Sequence, residues 1–321
     1  MQHGRINPIS YRFWGPKQRF GVLKYESWNL GDDMQSLAAR QYLPSVDYYI
    51  SRDHPGEFKD VGRGPIKTIM NGWFMGPFNG EPLDWPPPPN IHPLFISFHM
   101  GREELAIPKY RDYFKQFEPI GCRGHRTLEL MTDLGVDAYF SGCLTLTLKN
   151  PYSDQERTDN IYFVDPFSFG EGKRYPKPGD RYFRDDLWQK IPEEIRQKAT
   201  YIRHTADLPK RDYGNPYKRY NLTRSLFEKY ARAKLVVTGR IHCALPCLAL
   251  GTPVIFLTDT STLQADTRMG GLINLFRNYS FQQILDGEFD VNWENPEPNP
   301  VDISDMANKM RRTCENFILG T

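Results

Sequence analysis

The residues best suited to chemistry in this 321-residue chain sit where short apolar runs give way to helical ones. In Lys234-Leu-Val-Val-Thr-Gly-Arg-Ile-His-Cys-Ala-Leu-Pro-Cys-Leu-Ala-Leu-Gly-Thr-Pro-Val-Ile-Phe256 an apolar strand ends at Gly239. Arg240 and His242 occupy the turn from that strand into a helix. Ligands of open α/β folds bind at the carboxyl ends of the strands. A helix N-terminus there favours an anion, and an arginine adds bidentate recognition of a carboxylate or phosphate. The same pair would also serve to cap the helix or to staple two units, and spacing alone leaves both readings open.

Two further clusters have the same placement. Asn29-Leu-Gly-Asp-Asp33 follows a strand over Phe20–Ser27 and precedes a helix over Met34–Tyr42. Its glycine permits a turn, and one of Asp32 and Asp33 is expected to cap the helix. The other carboxylate is then available to orient or deprotonate a hydroxyl. Asn29 either hydrogen-bonds a sugar or closes its own turn. In Pro119-Ile-Gly-Cys-Arg-Gly-His-Arg-Thr-Leu-Glu-Leu130 a short apolar strand delivers Arg123 to the same kind of edge. His125 and Arg126 read as solvated turn residues. Arg123 from one part of the chain and Arg240 from another would grip a small dianion, unless they are two unrelated surface arginines. His242, Cys243 and Cys247 lack a second pair of ligands at zinc spacing, so the cysteines read as small buried side chains of a core helix and no metal site is predicted.

These sites need elements to hold them. The chain reads as α/β, with strands at Tyr48–Ser51, Lys67–Asn71, Leu94–Phe98 and Ala138–Ser141 and helices over Lys109–Phe117 and Arg126–Leu134. The polar, turn-rich stretch Asn150 to Arg157 marks a boundary, giving domains 1–152 and 153–321. A second α/β series follows: strand Asn160–Val164, helix Asp185–Lys198, strand Ala199–His204, helix Leu222–Arg232, strand Lys234–Thr238, helix Ile241–Leu250 and strand Pro253–Leu257. Pro246 predicts a kink or a later start for the helix that contains it. A final amphipathic helix, Ile303–Leu319, is expected to pack back on the first domain. Two Rossmann-like halves facing a cleft is the simplest arrangement.

Composition narrows the function classes. Hydrophobic residues are 39% and charged residues 25%, and 20 Phe, 18 Tyr and 6 Trp argue for a packed core. With 41 basic and 39 acidic residues the net charge is +2, which gives no footing for a nucleic-acid partner. The apolar run around Ile241–Leu257 is broken by Pro246, Gly251 and Pro253, so no membrane span is predicted. The N-terminus lacks an apolar signal region and the five cysteines are scattered, which points to a cytoplasmic protein. Four prolines at 86–89 read as a stiff surface connector.

The succession NLGDD, IGCRGHRTLELMTDLG and AKLVVTGRIHCALPCLALGTPVI resembles the polysaccharide pyruvyl transferases, over about Phe20 to Phe276. The resemblance implies a GT-B-like fold with the acceptor on the N-terminal side and the donor on the C-terminal side. It implies an enzyme that moves the pyruvyl group of phosphoenolpyruvate onto two hydroxyls of a sugar in a glycan or glycolipid precursor, giving a pyruvate ketal and phosphate. Arg123 and Arg240 would then bind the donor, His242 would protonate its methylene, and Asp32 or Asp33 would serve the attacking hydroxyl. Arg268 is the candidate for a further donor-contacting base, and His99 and Trp73 for the cleft. No cofactor is implied beyond phosphoenolpyruvate as donor substrate, and the setting is at the periphery of membrane-linked glycan synthesis. The rival reading is a GT-B glycosyltransferase using a nucleotide sugar; a third is a carbohydrate-binding protein without activity.

Overall fold

The structure, a computed structural model, describes residues 18–60, 62, 64–76, 84–167, 177–180, 183–259 and 269–320. Its first part holds β1 (Arg19–Lys24), α1 (Leu30–Arg40), β2 (Tyr48–Ser51), β3 (Ile66–Ile69), β4 (Trp73–Phe74), β5 (Ile91–Leu94), β6 (His99–Met100), α2 (Pro108–Lys115), β7 (Ile120–Cys122), α3 (His125–Asp133) and β8 (Ala138–Phe140). Strands β2-β1-β3-β5 form a parallel sheet in that order. Parallel pairs β4–β6 and β7–β8 carry the chain beyond it.

The second part holds β9 (Ile161–Val164), α4 (Asp185–Trp188), α5 (Glu193–Lys198), β10 (Thr200–Ile202), α6 (Pro216–Arg232), β11 (Leu235–Thr238), α7 (Ile241–Ala249), β12 (Val254–Thr258), β13 (Arg277–Ser280), α8 (Phe281–Leu285) and α9 (Ser304–Leu319). Strands β10-β9-β11-β12-β13 make a second parallel sheet. Both sheets match the expected α/β class.

Side chains on this second sheet alternate as a period of two requires. Tyr162, Val164, Val236, Val254 and Phe256 enter one apolar cluster. Ile161, Phe163, Leu235, Val237, Ile255 and Leu257 enter another on the opposite face. Burial on both faces is why these strands read as continuous apolar runs. The first of those clusters also takes Leu30, Met34, Ala38 and Ala39 of α1, Tyr230 and Ala231 of α6, and Ala244, Leu245 and Leu248 of α7. Helix α1 therefore packs against the C-terminal helices as well as its own sheet. A third cluster gathers aromatics of the first part, with Trp85 stacked on Phe114 at 5.8 Å between centroids. Helix α9 returns to the first sheet: Lys67 Nζ donates to the carbonyls of Phe317 at 2.6 Å and Ile318 at 3.1 Å, and His92 stacks on Phe317.

Several element boundaries differ from the sequence reading, each for a local reason. Helix α1 begins at Leu30 rather than Met34, because the Asn29 side chain accepts from the Gly31 amide at 3.0 Å and caps it. The cap is thus Asn29, not an aspartate, and Asp32 and Asp33 fall in the first turn, where carboxylates suit the helix dipole. The strand placed at Leu94–Phe98 ends at Leu94; Ser97 has φ 57° and its amide donates to Ser141 Oγ at 3.0 Å instead of to a ladder. The long helix over Asp185–Lys198 is two short ones, with Pro192 as the N-cap of the second. Asn215 and Pro216 start α6 six residues before the expected Leu222. Pro246 is accommodated inside α7, which starts at Ile241 as expected.

Candidate active site

The chemistry-bearing residues collect where strands end. Arg123 follows β7, Asp165 follows β9, His204 lies two residues past β10, and Arg240 follows β11 as the N-cap of α7. His242 stands in the first turn of α7, and Asn29 caps α1 beside it. The two helix starts meet at Gly31: a Cβ there would come within 3.1 Å of His242 Cβ and 3.3 Å of Nδ1. Gly31 lies within the first turn of α1 rather than in a glycine turn before it, and what its missing side chain allows is this close approach.

Across that junction Arg123 Nη1 lies 3.3 Å from His242 Nε2, with both residues buried. A guanidinium has no acceptor, so Nε2 accepts and the imidazole proton sits on Nδ1. The same Nη1 donates to Gln35 Oε1 at 3.3 Å. Arg240 Nη2 donates to Asn29 Oδ1 at 3.1 Å, its Nε is 3.5 Å from Asp165 Oδ2, and its guanidinium lies over Trp28 at 5.6 Å. Arg123, Arg240, His242 and Asn29 are thus brought together from three separate stretches of chain.

The paired aspartates diverge. Asp32 accepts from Ser27 Oγ at 3.1 Å and lies 3.5 Å from Gln35 Nε2 and 3.7 Å from Arg52, which joins it through Gln35 to Arg123. Asp33 turns toward α6, where Arg219 Nε meets its two oxygens at 2.9 and 3.1 Å. Burial pushes the Asp33 carboxyl up to about 6, with the Arg219 guanidinium pulling the other way. His99 is buried and shares a hydrogen bond with Thr127 Oγ1 at 3.2 Å. Trp73 is half-buried with its ring 6.3 Å from that of His99. Arg268 lies outside the described residues.

A family match settles which proteins these motifs belong to. The polysaccharide pyruvyl transferase model matches residues 29–261. The chain belongs to that family. The matched span opens on the Asn29 cap and takes in Arg123, Arg240 and His242. Membership makes this pyruvyl transferase an enzyme of polysaccharide biosynthesis with a carbohydrate acceptor. Among solved structures, a functionally uncharacterised protein from Klebsiella pneumoniae subsp. pneumoniae NTUH-K2044 is similar at 14% identity and TM-score 0.39, over 82% of this chain and 92% of that one. No curated protein matches.

The candidate site also contains residues that the sequence reading passed over. Gln35 is a buried polar side chain one helical turn after Asp32 on α1, and that i, i+3 pairing was its available signal. Asp165 follows an apolar run and precedes Pro166, with φ 39°, a costly backbone for a non-glycine residue. Its Oδ2 accepts from the His204 amide at 2.9 Å, and burial raises its carboxyl above the usual range against the opposing pull of Arg240. His204 is fully buried, held well below its ordinary value by burial and by Arg240, and packs as a neutral ring against Tyr230. The five cysteines are buried and free. Among the described residues no three His, Cys, Asp or Glu side chains are grouped to hold a metal, and no helix is long and apolar enough to cross a membrane.

Proposed function

We propose that the enzyme transfers the pyruvyl group of phosphoenolpyruvate onto two hydroxyls of one sugar, between two Rossmann-like halves in a GT-B-like arrangement. The observation that carries this reading is the Arg123–His242 contact at 3.3 Å, with Arg240 held two residues before His242. Two guanidinium groups and an imidazole in one buried junction match a donor that bears both a carboxylate and a phosphate. Arg123 exchanges His242 Nε2 for an oxygen of the donor, and that nitrogen is then available to carry a proton. His242 gives this proton to C3 of the enol, making a methyl group and leaving C2 electrophilic. A sugar hydroxyl forms the first C2–O bond while Asp32, the aspartate joined to Arg123 through Gln35, takes its proton. The C2–O bond to phosphate breaks, and Arg123 and Arg240 stabilise the departing charge. The second hydroxyl closes the ketal, and its proton leaves with the phosphate. Asn29 orients Arg240 throughout, and His99 and Arg268 are proposed to line the substrate space.

Phosphate release from phosphoenolpyruvate, measured with a panel of glycosides, tests the reading. Acceptor-dependent release that disappears in Arg240→Ala and His242→Ala supports it. No release with any acceptor, together with stabilisation of the protein by a nucleotide sugar, would overturn it in favour of glycosyl transfer.

A further inference from the structure

We infer that Asp165 is a positioning residue for donor binding: its carboxylate sets the orientation of the Arg240 guanidinium. This rests on Arg240 being a donor-binding arginine. Asp165 follows β9, the strand between β10 and β11, so it stands beside the turn that carries Arg240. Its backbone is already engaged on both sides. The amide donates to the Ile202 carbonyl at 3.1 Å, and the carbonyl accepts from the Gly239 amide at 3.3 Å. The side chain is therefore not needed to join the strands. It is nevertheless buried, with Oδ2 accepting from the His204 amide at 2.9 Å and lying 3.5 Å from Arg240 Nε. Oδ1 is buried as well and meets no hydrogen-bond donor among the described residues.

Such a residue costs the fold free energy in two ways. A buried carboxylate oxygen without a donor has lost its solvation. A φ of 39° is a strained backbone for a residue other than glycine. What that cost secures is contact with one guanidinium. Nε is the nitrogen joined to the aliphatic stem, so a carboxylate there fixes the plane in which both Nη groups lie. Asn29 Oδ1 accepts from Nη2 at 3.1 Å, and the guanidinium lies over the Trp28 ring at 5.6 Å, so three groups define that plane. An arginine held in this way meets an anion without first losing its own freedom. His204 keeps the carboxylate turned to Arg240. Its ring is buried and held neutral, so it offers Asp165 a backbone amide and not a second charge.

The test is a phosphorus NMR titration of the full-length protein with phosphoenolpyruvate, the fold of each variant being checked by circular dichroism. Asp165→Gly suits the positive φ and removes the carboxylate; it should weaken binding about tenfold. The sign of the change separates positioning from proximity. Removing a negative charge beside an anion site would by itself tighten binding, so a loss reports the lost orientation of the guanidinium. In an Arg240→Ala background the same change should cause no further loss, because the residue acts through Arg240. Asp165→Asn keeps an oxygen for the two N–H groups and should lose less, about threefold. If the glycine variant does not fold, the asparagine variant carries the cycle. Binding that is unchanged or tighter in the folded variant, or equal losses in both backgrounds, would overturn the inference alone. A wild-type protein that does not bind phosphoenolpyruvate would overturn the donor reading, and this inference with it.

Discussion

The two sides of the α1 N-terminus use arginine in opposite ways. Toward α6, Arg219 is fully buried and spreads its donors over both Asp33 oxygens and the carbonyls of Ser27, Asn29 and Tyr213. Toward α7, Arg123 divides one nitrogen between Gln35 and His242 at 3.3 Å each, and Arg240 reaches Asn29 at 3.1 Å and Asp165 at 3.5 Å. The first arrangement is closed by charge and by short bonds. The second uses longer contacts, among them the neutral atoms of Gln35, His242 and Asn29. On the proposed function, the difference separates an arginine that joins parts of the fold from arginines that would exchange a partner for the donor.

The largest effect expected of a single change tests the closed side. Arg219→Ala leaves the buried Asp33 carboxylate without its partner and should cost about 3–5 kcal/mol in urea unfolding. A loss below about 1 kcal/mol would erase the contrast. Arg240→Ala should lower turnover of phosphoenolpyruvate about 100- to 1000-fold, with a smaller loss of stability than Arg219→Ala because its contact to buried Asp165 is the longer one at 3.5 Å. If stability falls as much as activity, the cleft arginine is a structural one.

Smaller changes sharpen the boundary between the two sides. Gly31→Ala places a methyl group 3.1 Å from His242 Cβ, so the imidazole must shift; kcat/KM is expected to fall about tenfold. An unchanged value would mean that His242 need not stand where it does. Asn29→Ala removes the α1 cap and should cost about 1 kcal/mol, whereas Asn29→Asp keeps the cap. The aspartate adds a carboxylate to Arg240, so its stability should stay near wild type while donor affinity drops. A variant that binds phosphoenolpyruvate normally would show that the neutrality of this oxygen has no role.

The three motifs were legible because each is a strand end followed by a helix start, and local sequence specifies that junction. The divergence of Asp32 and Asp33 was not legible. Neighbours on a helix point about 100° apart, and which one faces the cleft depends on Arg219, 186 residues further along the chain. Gln35 and Asp165 escaped for a similar reason, since each meets an arginine distant in sequence, Arg123 and Arg240. Ser97 shows a different limit. Its side chain resembles any strand residue, and only the fold around Ser141 turns its backbone out of the ladder.

The shared core around α1 has a consequence for how the molecule opens. Leu30, Met34 and Ala38 are packed with Tyr230, Ala244 and Leu248, so this helix is interior to both halves of the chain. Peptides cut between 152 and 153 would each expose part of one apolar surface, and mixing them should restore a single folded complex. In the intact protein the amides of α1 should exchange with solvent only through global unfolding. Two halves that share an interior do not swing apart like a book, so on the proposed function the donor would enter past side chains and loops rather than by hinge opening.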